Sequence, residues 1–350
     1  MEIRLNILFA LRQDSQTNPG GDFVQMTSWR TALEQAGYAV KLSDAPEDEA
    51  SWRGCDIVFI WHLERVHDSY CWFKEAKQHN VPVVLVPTYY RCSRRLPGFG
   101  LFKQAELIVR SLWKRSTFGK ALFKGWSRCR KEMLSESELL IANSEAERQL
   151  LIFEGGDAGK IAVIPNVVAQ KYFSLAAVPF EERTQIVCVG HFCPRKNQLA
   201  LIKALKGLPL GITFIGGARP MHERYWRRCR KLAGNQHKFT GCLSQDETVE
   251  ILKKSKYAVS VSSVETPGIA NLEAAASGCG LILPDVPPVR EYFVGSTVHY
   301  IDPEHIDPEQ LLRMLQTEPD ARLPEMMKAK YSEAVLPGLW KNLQLERLVK

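Results

Sequence analysis

At 350 residues, 45% hydrophobic and 24% charged, the chain is too long for one hydrophobic core and has the composition of a globular rather than a disordered or fibrous protein, so two domains are expected. Its nine cysteines (55, 71, 92, 129, 188, 193, 229, 242 and 279) are odd in number and contain no C-x-x-C pair, which fits neither a disulfide framework nor a zinc site and reads as reduced cytosolic thiols. The net charge of +7 is unevenly spread: residues 91–131 hold twelve Lys/Arg against the single acid Glu106, an excess of +11 in one segment.

In chain order, the apolar run from Met1 to Leu11 is shorter than the apolar region of an export signal and is broken by polar residues, so it is expected as a first strand. No stretch reaches the roughly 20 apolar residues a membrane-spanning helix needs. Short apolar runs then alternate with longer mixed segments, the pattern of βα units around parallel sheets. Strands are expected at 3–9, 38–42, 55–60, 81–86, 138–142 and 161–164, and a second set at 186–190, 211–215, 257–263 and 280–284. Ser144 with Glu147, and Ser244 with Glu247, fit the S-x-x-E capping box that opens a helix. Residues 165–182 lack periodicity and contain Pro165 and Pro179, which places the linker there and divides the chain into domains 1–167 and 168–350.

The most informative segment runs from Tyr257 to Gly280. A β-branched strand leads into the loop Val264-Glu-Thr-Pro-Gly268 and then into a helix of small residues. Gly268, Ile269 and Ala270 at the helix entrance leave free N–H groups and the positive end of the helix dipole at the carboxyl edge of a sheet, which makes an anion site. Glu265 lies in the loop and Glu273 inside the helix among Ala270, Leu272, Ala274, Ala275 and Ala276. An ionised Glu buried among alanines needs donors, and ribose hydroxyls can supply them; spacing alone equally permits Glu273 on the solvent face and Glu265 as a plain loop charge.

This segment resembles the glutamate–seven residues–glutamate signature of retaining glycosyltransferases of family 4, and its form ETPG…LEAAASGC is similar to the bacterial members that build surface polysaccharides. The resemblance extends over nearly the whole chain. Asn143-Ser-Glu145 followed by Ile161 to Asn166 resembles the end of the family's first domain. Val187 to Asn197, with Gly190, His191, Arg195 and Lys196, resembles the opening of its second, and Asn18-Pro-Gly-Gly21-Asp22 its glycine loop. The resemblance implies an α/β fold of the GT-B type, two doubly wound Rossmann-like domains facing across a cleft, with acceptor bound by the first domain and donor nucleotide by the second. It implies transfer of a sugar from a nucleoside-diphosphate sugar to an acceptor hydroxyl with retention, without a metal or other cofactor. No D-x-D cluster follows a strand where a divalent cation would bridge phosphates.

Glu265 is then expected to face the donor sugar as the catalytic residue. Gly20, Gly21, His191, Arg195, Lys196, Gly268, Ile269, Ala270 and Glu273 are expected to bind the donor, with Lys196 and Arg195 on the diphosphate. His191 stands where the family commonly has arginine, and Tyr90 where it often has histidine, so Tyr90 and His62 are only acceptor-side candidates. Residues 91–131 interleave their cations with Phe99, Phe102, Trp113, Phe118, Phe123 and Trp126, which suits an anionic membrane surface. Single-stranded RNA and a plain solvated face are the competing readings, and no RNA-binding motif is present. The expected partners are therefore a nucleotide-sugar donor, a glycan or lipid-linked acceptor and the inner face of the cytoplasmic membrane, with no nucleic acid. A sugar-nucleotide epimerase or hydrolase on the same architecture, or a non-enzymatic binder of anionic ligands, are the alternatives.

Overall fold

The computed structural model describes residues 5–12, 15, 20–90, 125–173 and 178–349. Residues 91–124 of the basic segment, and Asn18 and Pro19 of the glycine motif, lie outside the described residues. The chain forms two compact units, one of Met1–Pro165 with Leu336–Lys350 and one of Asn166–Val335.

The first unit has a six-stranded parallel sheet of β1 (Asn6–Ala10), β2 (Ala39–Ser43), β3 (Ile57–Trp61), β4 (Val83–Val86), β5 (Leu139–Ala142) and β6 (Ile161–Val163) in the order β2-β1-β3-β4-β5-β6. Helices α1 (Gly21–Gln35), α2 (Glu49–Trp52), α3 (Val66–Gln78), α4 (Trp126–Glu136) and α5 (Glu145–Phe153) connect the strands. β3 and β4 are buried along their whole length, as strands covered on both faces must be, which is why they read as unbroken apolar runs. Leu8, Val58, Ile60, Val83 and Leu85 pack with Phe73 of α3 and Met133 of α4. Phe9, Phe59 and Trp61, the alternate residues of β1 and β3, form an aromatic cluster with Trp29 of α1.

The second unit repeats the plan with β7 (Gln185–Val189), β8 (Thr213–Ile215), β9 (Lys238–Gly241), β10 (Ser255–Val259), β11 (Gly280–Pro284) and β12 (His299–Ile301), in the order β12-β11-β10-β7-β8-β9. Its helices are α6 (Gln198–Ala204), α7 (Glu223–Ala233), α8 (Gln245–Leu252), α9 (Ile269–Ala276), α10 (Pro287–Tyr292), α11 (Pro308–Met314) and α12 (Leu323–Tyr331). Val187, Ala258, Leu281 and Leu283 share a core with α8, α9, α10 and α12. Their sequence neighbours Cys188, Tyr257, Val259 and Ile282 share a second core with α6, α7 and α11. That alternation, with helices on each face of a parallel sheet, makes the unit doubly wound.

All ten expected strands are present, and two were missed. β9 and β12 are the edges of the second sheet, three or four residues long and only partly buried, so neither carries an apolar run. The domain expectation needs correcting at two places. Residues 168–173 are no loose linker: Val168 donates to Tyr331 O at 2.7 Å, and Tyr172 and Phe173 enter the second unit's core from a 3-10 turn too short to show periodicity. Nor does the second domain run to residue 350. Helix α13 (Leu336–Leu343) belongs to the first unit, where fully buried Trp340 meets Trp29 edge-on at 4.9 Å.

The Ser244 capping box forms as expected, with Glu247 returning to the Ser244 N–H at 2.8 Å. At α5 only half of it does. Ser144 Oγ accepts from the Glu147 N–H, but the buried Glu147 carboxylate instead accepts from Asn143 N–H at 2.7 Å and from Tyr89 N–H at 2.5 Å, tying the chain after β4 to the chain after β5. Burial raises this carboxyl to about 7 against those two donors.

Candidate active site

In the second sheet the chain winds outward in one direction from β7 and in the other from β10, so a crevice opens beyond the carboxyl ends of these two neighbours. The two loops that leave them are hydrogen-bonded together: Arg195 O accepts from both Ser263 N–H at 2.9 Å and Ser263 Oγ at 3.1 Å. After β7, Gly190 lies against the chain that leaves β8. A Cβ on Gly216 would come within 2.3 Å of Gly190 O, so glycine is required at Gly216 for the approach. Pro194–Lys196 then makes one 3-10 turn, after which Asn197, at φ 57, redirects the chain into α6.

This geometry brings Lys196 Nζ to 2.5 Å from Glu265 Oε2, with Arg195 Nη1 3.6 Å from Glu265 Oε1 and donating to Val264 O at 3.1 Å. The Glu265 side chain is 4% exposed. Burial alone would raise its carboxyl, yet Lys196, Arg195 and a hydrogen bond from Ser262 hold it at about 2. The loop charge is therefore a buried ion pair, the more so because Gly268, at φ 84, lets the backbone press against it; a Cβ there would lie 2.9 Å from Glu265 Cδ and from Asn271 Nδ2.

Gly268 is also the N-cap of α9 and has no side chain to cap it. The first-turn N–H groups of Ile269 and Ala270 thus add a positive helix end to the cations Lys196 and Arg195. Asn271 Nδ2 donates to Pro267 O at 2.8 Å and stiffens the entrance. Glu273, one turn further, is buried at 8% exposure rather than on the solvent face that spacing left open. Burial raises its carboxyl to about 7, opposed by a hydrogen bond from the Tyr172 hydroxyl and by Lys171.

His191 follows Gly190 in the same loop, its carbonyl accepting from Gln198 Nε2 at 3.0 Å. Thus His191, Arg195, Lys196, Glu265, Gly268, Ile269, Ala270 and Glu273 all lie at or behind one sheet edge of the second unit. Gly20, Gly21, His62 and Tyr90 lie in the first unit. Gly20 caps α1 with extended backbone, φ −122 and ψ −175, which any residue adopts, so its conformation does not demand glycine. Tyr90 follows Tyr89, whose N–H is the one held by Glu147. His62 Nε2 lies 2.8 Å from Asp22 Oδ2. The residues missed by sequence reasoning are Asp22, Arg12, Glu147, Tyr172 and Gly216. Asp22 stood inside the glycine motif and Glu147 inside a capping box that gave its carboxylate a different partner, while Arg12, Tyr172 and Gly216 carry no local signal because their partners are distant in the chain.

Residues 175–328 match the family model for glycosyl transferases group 1. The match spans nearly all of the second unit, Asn166–Val335. Over the whole chain the fold is similar to that of sucrose-phosphate synthase from Thermosynechococcus elongatus (TM-score 0.74, 17% identity, 98% of each chain covered). It is similar also to HepE of Anabaena in complex with UDP and glucose (TM-score 0.71, 14% identity, 98% of this chain and 100% of that one). A third likeness is the lipopolysaccharide outer core galactosyltransferase WaaB (TM-score 0.60, 14% identity, 98% and 100% covered). The architecture is accordingly GT-B. No curated protein matches the chain. Among the described residues no helix is long and apolar enough to cross a membrane.

Proposed function

We propose that the chain is a retaining glycosyltransferase of family 4 that moves a sugar from a nucleoside-diphosphate sugar to an acceptor hydroxyl in the assembly of a surface polysaccharide or lipid-linked glycan. The observation that carries this reading is the buried Lys196–Glu265 pair, flanked by Arg195, beside the uncapped start of α9. Two cations and a helix N-terminus at a switch point form a site for a diphosphate. As the bond from the anomeric carbon to the diphosphate oxygen breaks and the bond to the acceptor oxygen forms, the leaving group gains negative charge. Lys196 and Arg195 stabilise that charge in a site shielded from water. Glu265, freed from part of its pairing when a diphosphate takes Lys196, faces the donor sugar. Glu273 accepts from ribose hydroxyls, and its carboxyl near 7 is ionised fully once such donors reach it. His191 and the N–H groups of Ile269 and Ala270 complete the donor side.

The first unit takes the acceptor, with Gly20, Gly21, His62 and Tyr90 as its candidates, and no metal takes part. HepE, of the same fold, holds UDP and glucose, which favours UDP as the first nucleotide to try. A lipid-linked acceptor calls for work at a bilayer, which the basic segment 91–131 suits, at the inner face of the cytoplasmic membrane.

The deciding measurement is a thermal-shift screen with UDP, GDP, dTDP and their sugars in the presence of EDTA, since a ligand that binds only the folded state raises its melting temperature. One nucleotide should stabilise the protein without metal; no shift with any of them overturns the reading. Nucleotide release that is independent of added acceptor would mark a hydrolase instead. Sedimentation with anionic but not neutral vesicles, weakened by salt, checks the membrane assignment.

A further inference from the structure

The sheet of the first unit also has a switch point. β1 and β3 are neighbours, and the chain winds away from them in opposite directions. Three polar side chains converge at the carboxyl ends of these strands: Arg12 just after β1, Asp22 in the first turn of α1, and His62 directly after β3. Asp22 Oδ2 lies 2.8 Å from His62 Nε2 and 2.8 Å from Arg12 Nε. Arg12 is 4% exposed and Asp22 11%, so the group is built into the fold.

Burial alone would raise the Asp22 carboxyl. The hydrogen bond from His62, the charge of Arg12 and the Phe23 N–H hold it below the ordinary carboxylate range. An ionised carboxylate only accepts hydrogen bonds, so the His62 nitrogen that faces it must carry the proton. In the neutral ring the other nitrogen, Nδ1, then has a lone pair to offer. The buried Arg12 guanidinium lies against the same oxygen and holds the carboxylate in place by charge. His62 has a left-handed backbone, φ 71, pinned by its own N–H on Val86 O at 3.0 Å. Such a conformation is uncommon for a residue that carries a Cβ, and it persists where the direction of the side chain matters. At 14% exposure the ring is within a ligand's reach, and among the described residues Nδ1 has no partner.

We propose that Asp22 and Arg12 are positioning residues that lock His62 as its Nε2–H tautomer, so that Nδ1 accepts a hydrogen bond from a hydroxyl of the acceptor sugar. The geometry of the triad stands by itself; the identity of the hydroxyl rests on the glycosyl-transfer reading. The triad also accounts for the aspartate at the end of the Asn18–Asp22 motif, to which the donor site gives no role.

The test uses the full-length protein. Long-range 1H–15N correlation spectra at pH 8, with the His62 signals assigned by their loss in His62→Gln, should show the Nε2–H tautomer alone. In Asp22→Asn they should show a mixture. An Nδ1–H tautomer in the parent overturns the proposal, and this needs neither a folded variant at position 22 nor a known substrate. For the hydroxyl, sugar transfer to water and to octyl β-D-glucopyranoside is followed with UDP-glucose and with the sugar nucleotides that shift the melting temperature. His62→Ala should lower transfer about tenfold or more, as expected for a lost hydrogen bond to a buried acceptor, while the nucleotide affinity stays within about twofold. Unchanged transfer overturns the proposal. Absence of nucleotide binding in the parent overturns the glycosyl-transfer reading and leaves the tautomer result to decide the triad.

Discussion

Replacing Lys196 by methionine keeps the apolar stem that lies over Gly190 and removes the charge that balances Glu265. In the parent, the Glu265 carboxyl falls from 4.5 to about 2 on folding, and at 1.36 kcal/mol per unit this contributes about 3 kcal/mol at neutral pH. Because the folded value is the lower one, that stability is present above about pH 4.5 and is lost as pH falls toward 2. In Lys196→Met, burial is opposed only by Arg195 at 3.6 Å and by Ser262, so the carboxyl rises above its parent value. The second unit should lose about 3–5 kcal/mol at pH 7, the usual cost of stranding one member of a buried pair, and much less at pH 4, where Glu265 takes up a proton. Lys196→Met/Glu265→Gln should recover most of the loss. Trp226 is the one tryptophan between residues 166 and 335, so urea unfolding followed by 19F NMR of fluorotryptophan-labelled protein reports this unit separately. UDP titration should show affinity reduced by roughly 1.5–3 kcal/mol, the worth of a charge-assisted contact. Parallel pH–stability curves for parent and variant, or a double variant no more stable than the single one, would refute the argument.

Three further outcomes are expected. Glu273→Gln should chiefly weaken binding of the bare nucleoside diphosphate, whereas Glu265→Gln should lower kcat far more than nucleotide affinity, a split readable from titration and turnover together. Glu147 has a folded value raised from 4.5 to about 7, so its contribution is fully present below about pH 4.5 and is lost as pH rises through 7; Glu147→Gln should flatten that part of the first unit's stability curve by about 3 kcal/mol, and an unaltered slope would count against the buried clamp. Trp340→Ala should destabilise the first unit by about 3–5 kcal/mol and leave the Trp226 transition in place, as unfolding of the labelled protein can check; a shift of the Trp226 transition instead would assign α13 to the other unit.

The fold class and the segment around Glu265 were already legible in the amino-acid sequence. Strands buried on both faces, such as β3, β4 and β11, have to be continuous apolar runs, and a parallel sheet has to alternate them with helices. The loop Glu265–Gly268 was legible because strand, carboxylate, glycine and small-residue helix are consecutive, so their chemistry is written locally. The edge strands β9 and β12 were not, since an edge needs little apolar surface. Tertiary structure alone decided which charges meet. Lys196 and Glu265 are 69 residues apart and are joined because β7 and β10 are neighbours at a switch point. His62 and Asp22 are 40 apart and meet because β1 and β3 are neighbours. Glu147 satisfied a local capping pattern, yet its carboxylate went to Tyr89, 58 residues away, because a buried acceptor takes the unpaired N–H that the sheet brings to it. The last fifteen residues followed the same logic: Trp340 is bound to the first unit by Trp29, a buried ring that no periodicity at either end of the chain could have paired with it.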